Sequence, residues 1–194
     1  MSHPQAVPLA ETTRLHLLKT SGLLEVGHAL GPVLDGLCRL AGKAMHCPTV
    51  AVTLIDQHQV WFVGRHGLAL RQTPRTALPC GALTASSGEQ WLESLSDAAD
   101  FAELTSLHGW RAYASIPVSV DGMVMGSVCA MDRVPRAWST SDRATLLDNA
   151  KRSCKPITDA KGTAFSLATT VDGYGAALVT LAGFKPDALS SDIS

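Results

Sequence analysis

The sequence predicts an α+β fold in which helices pack on a central antiparallel sheet of about five to six strands. The strongest evidence is a pair of long apolar runs, residues 111–120 and 123–131, on either side of the dipeptide Asp121-Gly122. A two-residue Asp-Gly loop suits a type I′ turn, which joins neighbouring antiparallel strands. The second observation is the order of the elements, because the helical patterns fall outside a run of strands that are connected mainly by hairpins.

Two helices are predicted in the first part of the chain. The first covers residues 11–20, with Gly22 as its stop signal. Residues 27–31 are predicted to form a loop, and Pro32 then opens the second helix, since proline is tolerated in the first helical turn. This second helix shows apolar residues at helical spacing, namely Leu34, Leu37, Ala41 and Met45.

Strands are predicted next. Residues 49–55 are β-branched and alternating, and they form a probable hairpin with a second strand at 60–63. Residues 67–79 are rich in turn signals, and a third strand is predicted at 91–95. A short helix over residues 99–107 separates this strand from the long hairpin.

The end of the domain carries three further signals. Pro117 removes one backbone donor from the long hairpin and predicts a bulge or an unpaired position there. Ser139 or Thr140 caps a last helix over residues 141–153, which Pro156 ends.

The chain is predicted to consist of one domain with two tails. Residues 1–10 form a flexible leader and residues 11–154 form the domain. Residues 155–194 are interpreted as a weakly ordered appendage, or as sequence that does not belong to the same domain, because residues 161–194 mix Gly, Thr, Ser and Ala without a clear period.

Composition excludes several classes of protein. The hydrophobic fraction is 46% and the charged fraction 17%, as in globular proteins, and the net charge of −1 offers no basic surplus to bind nucleic acid. The amino terminus has no signal-peptide pattern and the longest apolar run is too short to span a membrane, so we expect a cytoplasmic protein without a membrane partner. The five cysteines form no CxxC pair, which favours reduced thiols, and no metal site is expected.

Several short motifs occur along residues 12–153. They are Ser21-Gly22-Leu23-Leu24, Cys47-Pro48, Gln59-Val60-Trp61-Phe62, Pro79-Cys80-Gly81-Ala82, Leu95-Ser96-Asp97-Ala98, and the two hairpin arms 111–118 and 126–133. In their order and spacing these motifs resemble the GAF domain family, which comprises ligand-sensing modules of phosphodiesterases, adenylate cyclases, phytochromes and many bacterial regulators. Leu83 departs from the family pattern, since many bacterial members carry a histidine there, and the last helix stops early, at Pro156.

The resemblance implies a non-catalytic regulatory domain in bacterial signal transduction. One face of the sheet and the loops between residues 67 and 109 would enclose a small-molecule ligand of unknown identity. The terminal helices would pair in a homodimer and pass the signal to a partner protein. The missing histidine at Leu83 argues against a bilin, so neither a covalent chromophore nor a metal is expected.

The candidate ligand contacts are Trp61, Cys80, Asp97, Arg111, Tyr113 and Cys129. Cys80 follows a proline in the loop region over the pocket, and a helix starting at Gly81 would lower the pKa of its thiol. Arg111 suits a carboxylate or phosphate, and Trp61 would stack on a planar ligand. For each candidate a structural role is the alternative: core packing for the cysteines and the tryptophan, and turn capping for Asp97.

Two other functions stay open. One is a dimerisation module without a pocket, built on the same helices. The other is a free methionine sulfoxide reductase with the GAF fold, which would need Cys80 and Cys129 as a nucleophilic thiolate and a resolving thiol within disulfide reach. The dense cysteine cluster expected for such an enzyme is absent from the loop that contains Cys80.

Overall fold

The computed structural model of the chain describes residues 9–82, 88–95, 109–120, 123–159, 166–171 and 177–182. The helices within these ranges are α1 (Leu9–Thr20), α2 (Leu23–Ala29), α3 (Gly31–Ala44) and α4 (Thr140–Asp159). The strands are β1 (Thr49–Ile55), β2 (Gln59–His66), β3 (Gln72–Pro74), β4 (Gln90–Leu92), β5 (Ala112–Val120), β6 (Met123–Asp132), β7 (Ser166–Val171) and β8 (Ala177–Ala182). Two turns of 3-10 helix, Arg75–Ala77 and Pro79–Ala82, follow β3.

The first six strands pair in an antiparallel sheet, with β3, β2, β1, β6 and β5 side by side in that order. Strand β4 pairs with β5 on the edge that does not contact β6. The hairpin of β7 and β8 joins this same edge, where β8 runs parallel to β5. The predicted α+β class with a central antiparallel sheet is therefore confirmed.

The sheet has an apolar layer on each side because side chains alternate along its strands. On the helical face, residues of β1 such as Val50, Val52 and Leu54 join the apolar residues of α1, α3 and α4. On the opposite side, which we call the far face, Ala51 and Ile55 of β1 join residues of the other central strands and of the loops. The members outside β1 are Val60, Phe62, Leu78, Cys80, Leu95, Trp110, Tyr113, Val124, Cys129 and Met131.

The two helices predicted in the first part of the chain form as α1 and α3. The predicted loop at 27–31 between them is wrong. Helix α2 runs through Gly27, and α3 begins at Gly31 with Pro32 in its first turn. A Cβ atom on Gly27 would lie 2.9 Å from Cγ1 of Val63. The glycine thus allows α2 to pack closely on β2, and it does not mark a turn.

The hairpin of β1 and β2 is confirmed, and β2 is longer than predicted. Strand β4 is shorter than the predicted strand at 91–95, because the chain turns away after Leu92. Leu95 is buried, and its N–H donates to the carbonyl of Arg111 at 2.7 Å. Strand β3 was not predicted. The predicted helix at 99–107 lies outside the described residues.

The two arms of the long hairpin form β5 and β6, as predicted, and their pairing extends to Val120 opposite Met123. The dipeptide Asp121-Gly122 itself lies outside the described residues. The register shifts between Val118 and Ser119, so the bulge predicted from Pro117 follows directly after it.

The predicted cap of the last helix is confirmed. The Ser139 hydroxyl accepts from the N–H of Asp142 at 3.1 Å, and the Asp142 carboxylate accepts from the N–H of Ser139 at 2.9 Å. The predicted stop at Pro156 is wrong, since α4 continues to Asp159. A proline removes only its own hydrogen bond to the preceding turn, so a helix can continue for a few residues beyond it. The division of the chain at residues 10 and 154 stays a prediction.

Candidate functional site

A row of hydroxyl side chains crosses the far face of the sheet. Thr53 of β1 is paired with Ser127 of β6. Ser127 is in turn opposite Pro117 of β5. Ser115 and Ser119 lie in β5, two residues before and two residues after this proline. All four side chains are buried. They alternate with apolar residues that face the helices, so the strand geometry brings them to one surface.

Three of these hydroxyls have partners within the protein. The Thr53 hydroxyl accepts from the N–H of Ser127 at 3.0 Å and lies 2.9 Å from the Ser127 hydroxyl. The Ser115 hydroxyl donates to Oε1 of Gln90 in β4 at 3.4 Å. These bonds join β1 to β6 and β5 to β4 on the far face.

Two hydroxyls of the far face have no hydrogen-bond partner of normal geometry among the described residues. The residues are Tyr113 and Ser119, both 0% exposed. Burial raises the pKa of Tyr113 well above its usual range. The nearby Cys80 thiol adds to this effect and Ser115 opposes it, but neither side chain has the geometry of a hydrogen bond to the Tyr113 hydroxyl. A buried hydroxyl without a partner costs about 1–3 kcal/mol of stability. The surface therefore has an unused capacity for hydrogen bonding.

The thiols of the far face are buried, which favours their protonated form. Burial raises the pKa of the Cys80 thiol, although the side chains of Tyr113, Ser127 and Thr53 act in the opposite direction. Burial also raises the pKa of the Cys129 thiol well above its usual range, and the neighbouring Cys80 adds to this effect. The expectation that a helix start at Gly81 lowers the pKa of Cys80 is wrong, because the turn there spans only the four residues Pro79–Ala82.

The turn that carries Cys80 is tied to α1 through one arginine. Nε of Arg75 donates to the carbonyl of Gly81 at 2.7 Å, and its guanidinium lies 2.5 Å from the carboxylate of Glu11. That carboxylate also accepts two hydrogen bonds of 2.8 Å from Arg14, whose guanidinium is buried and donates to the carbonyl of Ile55 at 2.6 Å. The bonds from Arg14, together with those from Arg75, lower the pKa of Glu11 from 4.5 to about 2.

The geometry can now be compared with known proteins. Residues 29–152 match the GAF domain family, which is more than half of the chain. The chain belongs to the GAF domain family. The predicted resemblance is thereby confirmed, and the far face is the side of this GAF domain on which a ligand was expected.

The relatives of this GAF domain include signalling proteins and enzymes. A cyclic di-GMP phosphodiesterase of Pseudomonas aeruginosa is 26% identical over 149 residues, which cover 75% of this chain and 25% of the relative, so the chain spans a quarter of that relative's length. The domain of a two-component sensor histidine kinase of Sinorhizobium meliloti superposes with a TM-score of 0.56 at 17% identity, covering 69% of this chain and 94% of the other. A free methionine-R-sulfoxide reductase of Neisseria meningitidis, in complex with its substrate, gives a TM-score of 0.58 at 17% identity, covering 84% and 98%.

The structure brings together three of the six predicted contact residues of this GAF domain. Cys80, Tyr113 and Cys129 all lie in the far face. Trp61 lies against the helical face instead, where its indole N–H donates to the carboxylate of Asp56 at 2.6 Å. Arg111 is exposed. Asp97 lies outside the described residues.

Trp61 is separated from the other candidates because neighbouring residues of a strand point to opposite sides of the sheet. Val60 and Phe62 occupy the far face, so Trp61 between them faces the helices. There its ring packs edge-on against the His28 ring, with 5.6 Å between the two ring centroids. The ring therefore contributes to packing beside α2, and it cannot stack on a ligand of the far face.

The hydroxyl row was missed by reasoning from the sequence. Its signal is a polar residue at every second position of an otherwise apolar strand, as at Tyr113, Ser115 and Ser119 in β5. Thr53 and Ser127 are single polar residues in apolar runs, and only the register of β1 and β6 shows that they are neighbours.

The described residues also bear on metal binding and on membrane insertion. In the residues that the structure describes, no group of three or more His, Cys, Asp and Glu side chains is arranged to hold a metal ion. The helices within the same residues are too short or too polar to cross a membrane.

Proposed function

We propose that this GAF domain is a non-catalytic regulatory module that acts in the cytoplasm and binds a small polar molecule on the far face of its sheet. The observation that carries the proposal is the pair of hydroxyls of Tyr113 and Ser119, both 0% exposed and without a hydrogen-bond partner in the part of the chain that the structure describes. A bound molecule with hydrogen-bonding groups would give both hydroxyls a partner. Ligand sites combine apolar walls with a few polar groups of this kind.

The regulatory part of the proposal rests on Arg75. Its guanidinium contacts both the carbonyl of Gly81, beside Cys80 in the far face, and the carboxylate of Glu11 in α1. A Cβ atom on Gly81 would lie 1.7 Å from the carbonyl oxygen of Arg75, so the two segments are packed closely. A ligand that moves this turn would displace the contact to α1, provided that it binds the two arrangements with different affinities.

The experiment uses two variants that remove only the unpaired hydroxyls, Tyr113→Phe and Ser119→Ala. The protein is incubated with a bacterial metabolite extract, freed of unbound molecules, and the retained molecules are identified by mass spectrometry. We expect both variants to retain less than the wild type. We expect the matched control Ser141→Ala, at an exposed serine of α4, to retain the wild-type amount.

The same variants give a second signature in the absence of ligand. Removal of a buried hydroxyl that has no partner should leave the free energy of unfolding unchanged or raise it by about 1 kcal/mol. A variant that is less stable by 1 kcal/mol or more, measured by urea unfolding, would show that the hydroxyl is already paired and would count against the site.

A reductase is the second candidate, favoured by one observation. Cys80 and Cys129 lie in the same layer, and the Cys80 thiol helps to raise the pKa of Cys129. Burial raises the pKa of both, however, whereas the reaction needs a thiolate. We expect no reduction of free methionine sulfoxide with dithiothreitol as the reductant. Turnover that disappears in Cys80→Ser would show that the domain is an enzyme.

Dimerisation is the third candidate, and it is compatible with ligand binding. The outer side of α3 exposes Val33 and Leu40, which are 49% and 63% exposed, and a groove of about 210 Å³ between α3 and α4 extends from Leu40 past Leu37. We propose a second copy of the chain as the occupant of this helical surface. Light scattering over a range of concentrations should show a dimer that Leu40→Gln weakens. A monomer at every concentration would exclude this candidate.

A further inference from the structure

The segment between Arg75 and Arg111 contains no lysine and no arginine. It supplies four members of the far face, the residues Leu78, Cys80, Leu95 and Trp110. The same segment carries five carboxylates, at Glu89, Glu93, Asp97, Asp100 and Glu103. The four residues that this segment places in the far face carry no charge, and the one residue of the segment that can become cationic is His108.

The polar groups already placed in the far face are also uncharged. They are the hydroxyls of Thr53, Ser115, Ser119, Ser127 and Tyr113 and the thiols of Cys80 and Cys129. The two thiols stay protonated because burial raises the pKa of each. An anionic group bound against these residues would lie in a buried layer that offers it hydrogen-bond donors but no positive charge.

The arginines around the far face do not add a free positive charge to it. The guanidinium of Arg75 is bound to Glu11 and to the carbonyl of Gly81. Arg65, near the carboxyl end of β2, donates to the carbonyl of Leu70 at 3.1 Å. Arg111, directly before β5, is exposed. Among the described residues, the cations thus lie at the rim or are already paired.

Burying an anion without a positive partner costs several kcal/mol, whereas burying an uncharged polar group costs little once it is hydrogen-bonded. We infer that the ligand of this GAF domain is a small polar molecule without a phosphate or carboxylate group, either uncharged or cationic. This inference rests on the proposed function, because it names the class of molecule that would bind the Tyr113 and Ser119 hydroxyls. It sets the ligand apart from cyclic nucleotides and from free amino acids.

The test uses pairs of compounds that differ in one anionic group: guanosine and cyclic GMP, adenosine and cyclic AMP, choline and betaine, agmatine and arginine. Binding is measured by calorimetry and by the shift in melting temperature of the full chain. We expect every compound that binds to be the member without the anionic group, with at least ~10-fold higher affinity than its partner, which corresponds to ~1.4 kcal/mol. Higher affinity for the anionic member of any pair would overturn the inference.

The extract experiment covers ligands outside these pairs and separates the two proposals. Retained molecules without phosphate or carboxylate groups, lost in Tyr113→Phe and Ser119→Ala, support both. A retained anion that is lost in the same variants overturns the inference and leaves the proposed site intact. If the wild type retains no molecule and no paired compound binds, the proposed function fails, and the inference fails with it.

Discussion

Glu11 should be one of the most important charged residues for the stability of this domain, and the variant Glu11→Gln tests this. The substitution keeps the size of the side chain and removes its charge. In the wild type the carboxylate is paired with Arg14 and Arg75 at 2.8 Å and 2.5 Å. The Arg14 guanidinium is 2% exposed, so after the substitution a buried cation keeps the carbonyl of Ile55 and loses its counterion.

The expected loss follows from two independent magnitudes. Removing one partner of a buried ion pair costs about 3–5 kcal/mol, and the 17% exposure of the Glu11 side chain reduces this to about 2–3 kcal/mol. The lowering of the Glu11 pKa from 4.5 to about 2 corresponds to a maximum of about 3–4 kcal/mol. At roughly 2–4 °C per kcal/mol for a chain of this size, the melting temperature should fall by about 4–12 °C.

The pH dependence identifies the mechanism. Because the pKa of Glu11 is lower in the folded state than in the unfolded state, its contribution is fully present above pH 4.5 and is lost as the pH falls towards about 2. Urea unfolding of both proteins at pH 7, 5, 4 and 3 should therefore give a constant difference in the free energy of unfolding down to pH 5. Below pH 4.5 this difference should shrink.

The matched control is Glu25→Gln, at an exposed carboxylate in the first turn of α2. It carries the same chemical change and should alter the free energy of unfolding by less than about 0.5 kcal/mol. Equal effects of the two substitutions at pH 7, or a difference that grows as the pH falls, would refute the role assigned to the Glu11 carboxylate.

Three further predictions concern the cap, the hydroxyl row and the thiols. Ser139→Ala should lower the free energy of unfolding by about 1 kcal/mol in urea titrations, since the N–H of Asp142 loses its cap, and Ser141→Ala is the control. Thr53→Val should cost about 1–3 kcal/mol in the same assay because the buried N–H of Ser127 loses its acceptor, and Thr53→Ser should cost less. In a Cys154→Ser variant, Ellman's reagent at pH 7 should label the four buried thiols Cys38, Cys47, Cys80 and Cys129 only after unfolding in guanidinium. Rapid labelling of that variant in its native state would contradict their burial.

The sheet could be predicted from the sequence because its signals are local. Alternating side chains and the dipeptide Asp121-Gly122 define β1, β5 and β6 without knowledge of any distant contact. Helix α2 could not be predicted in this way, because Gly27 is a general signal for a loop. Its role in the structure, close contact with Val63, depends on a strand far along the chain.

The site was predictable only in part for a related reason. The resemblance to the GAF family placed Cys80, Tyr113 and Cys129 near the expected pocket, and the structure puts all three in the far face. Side chains alternate between the two faces of the sheet along β2, and this alternation puts Trp61 on the helical face. A short motif does not show to which face its residues point. The unpaired state of the Tyr113 hydroxyl depends on every neighbouring atom, so only the structure could show it.

Pro117 has a consequence for the outer edge of β5. Strand β4 pairs with residues 113–115 on that edge, and β8 pairs with residues 118–120. Position 117 lies between these two docked segments and offers neither of them an N–H group. Extension of either strand past position 117 would therefore lose one backbone hydrogen bond, which favours two short strands of opposite direction on the same edge.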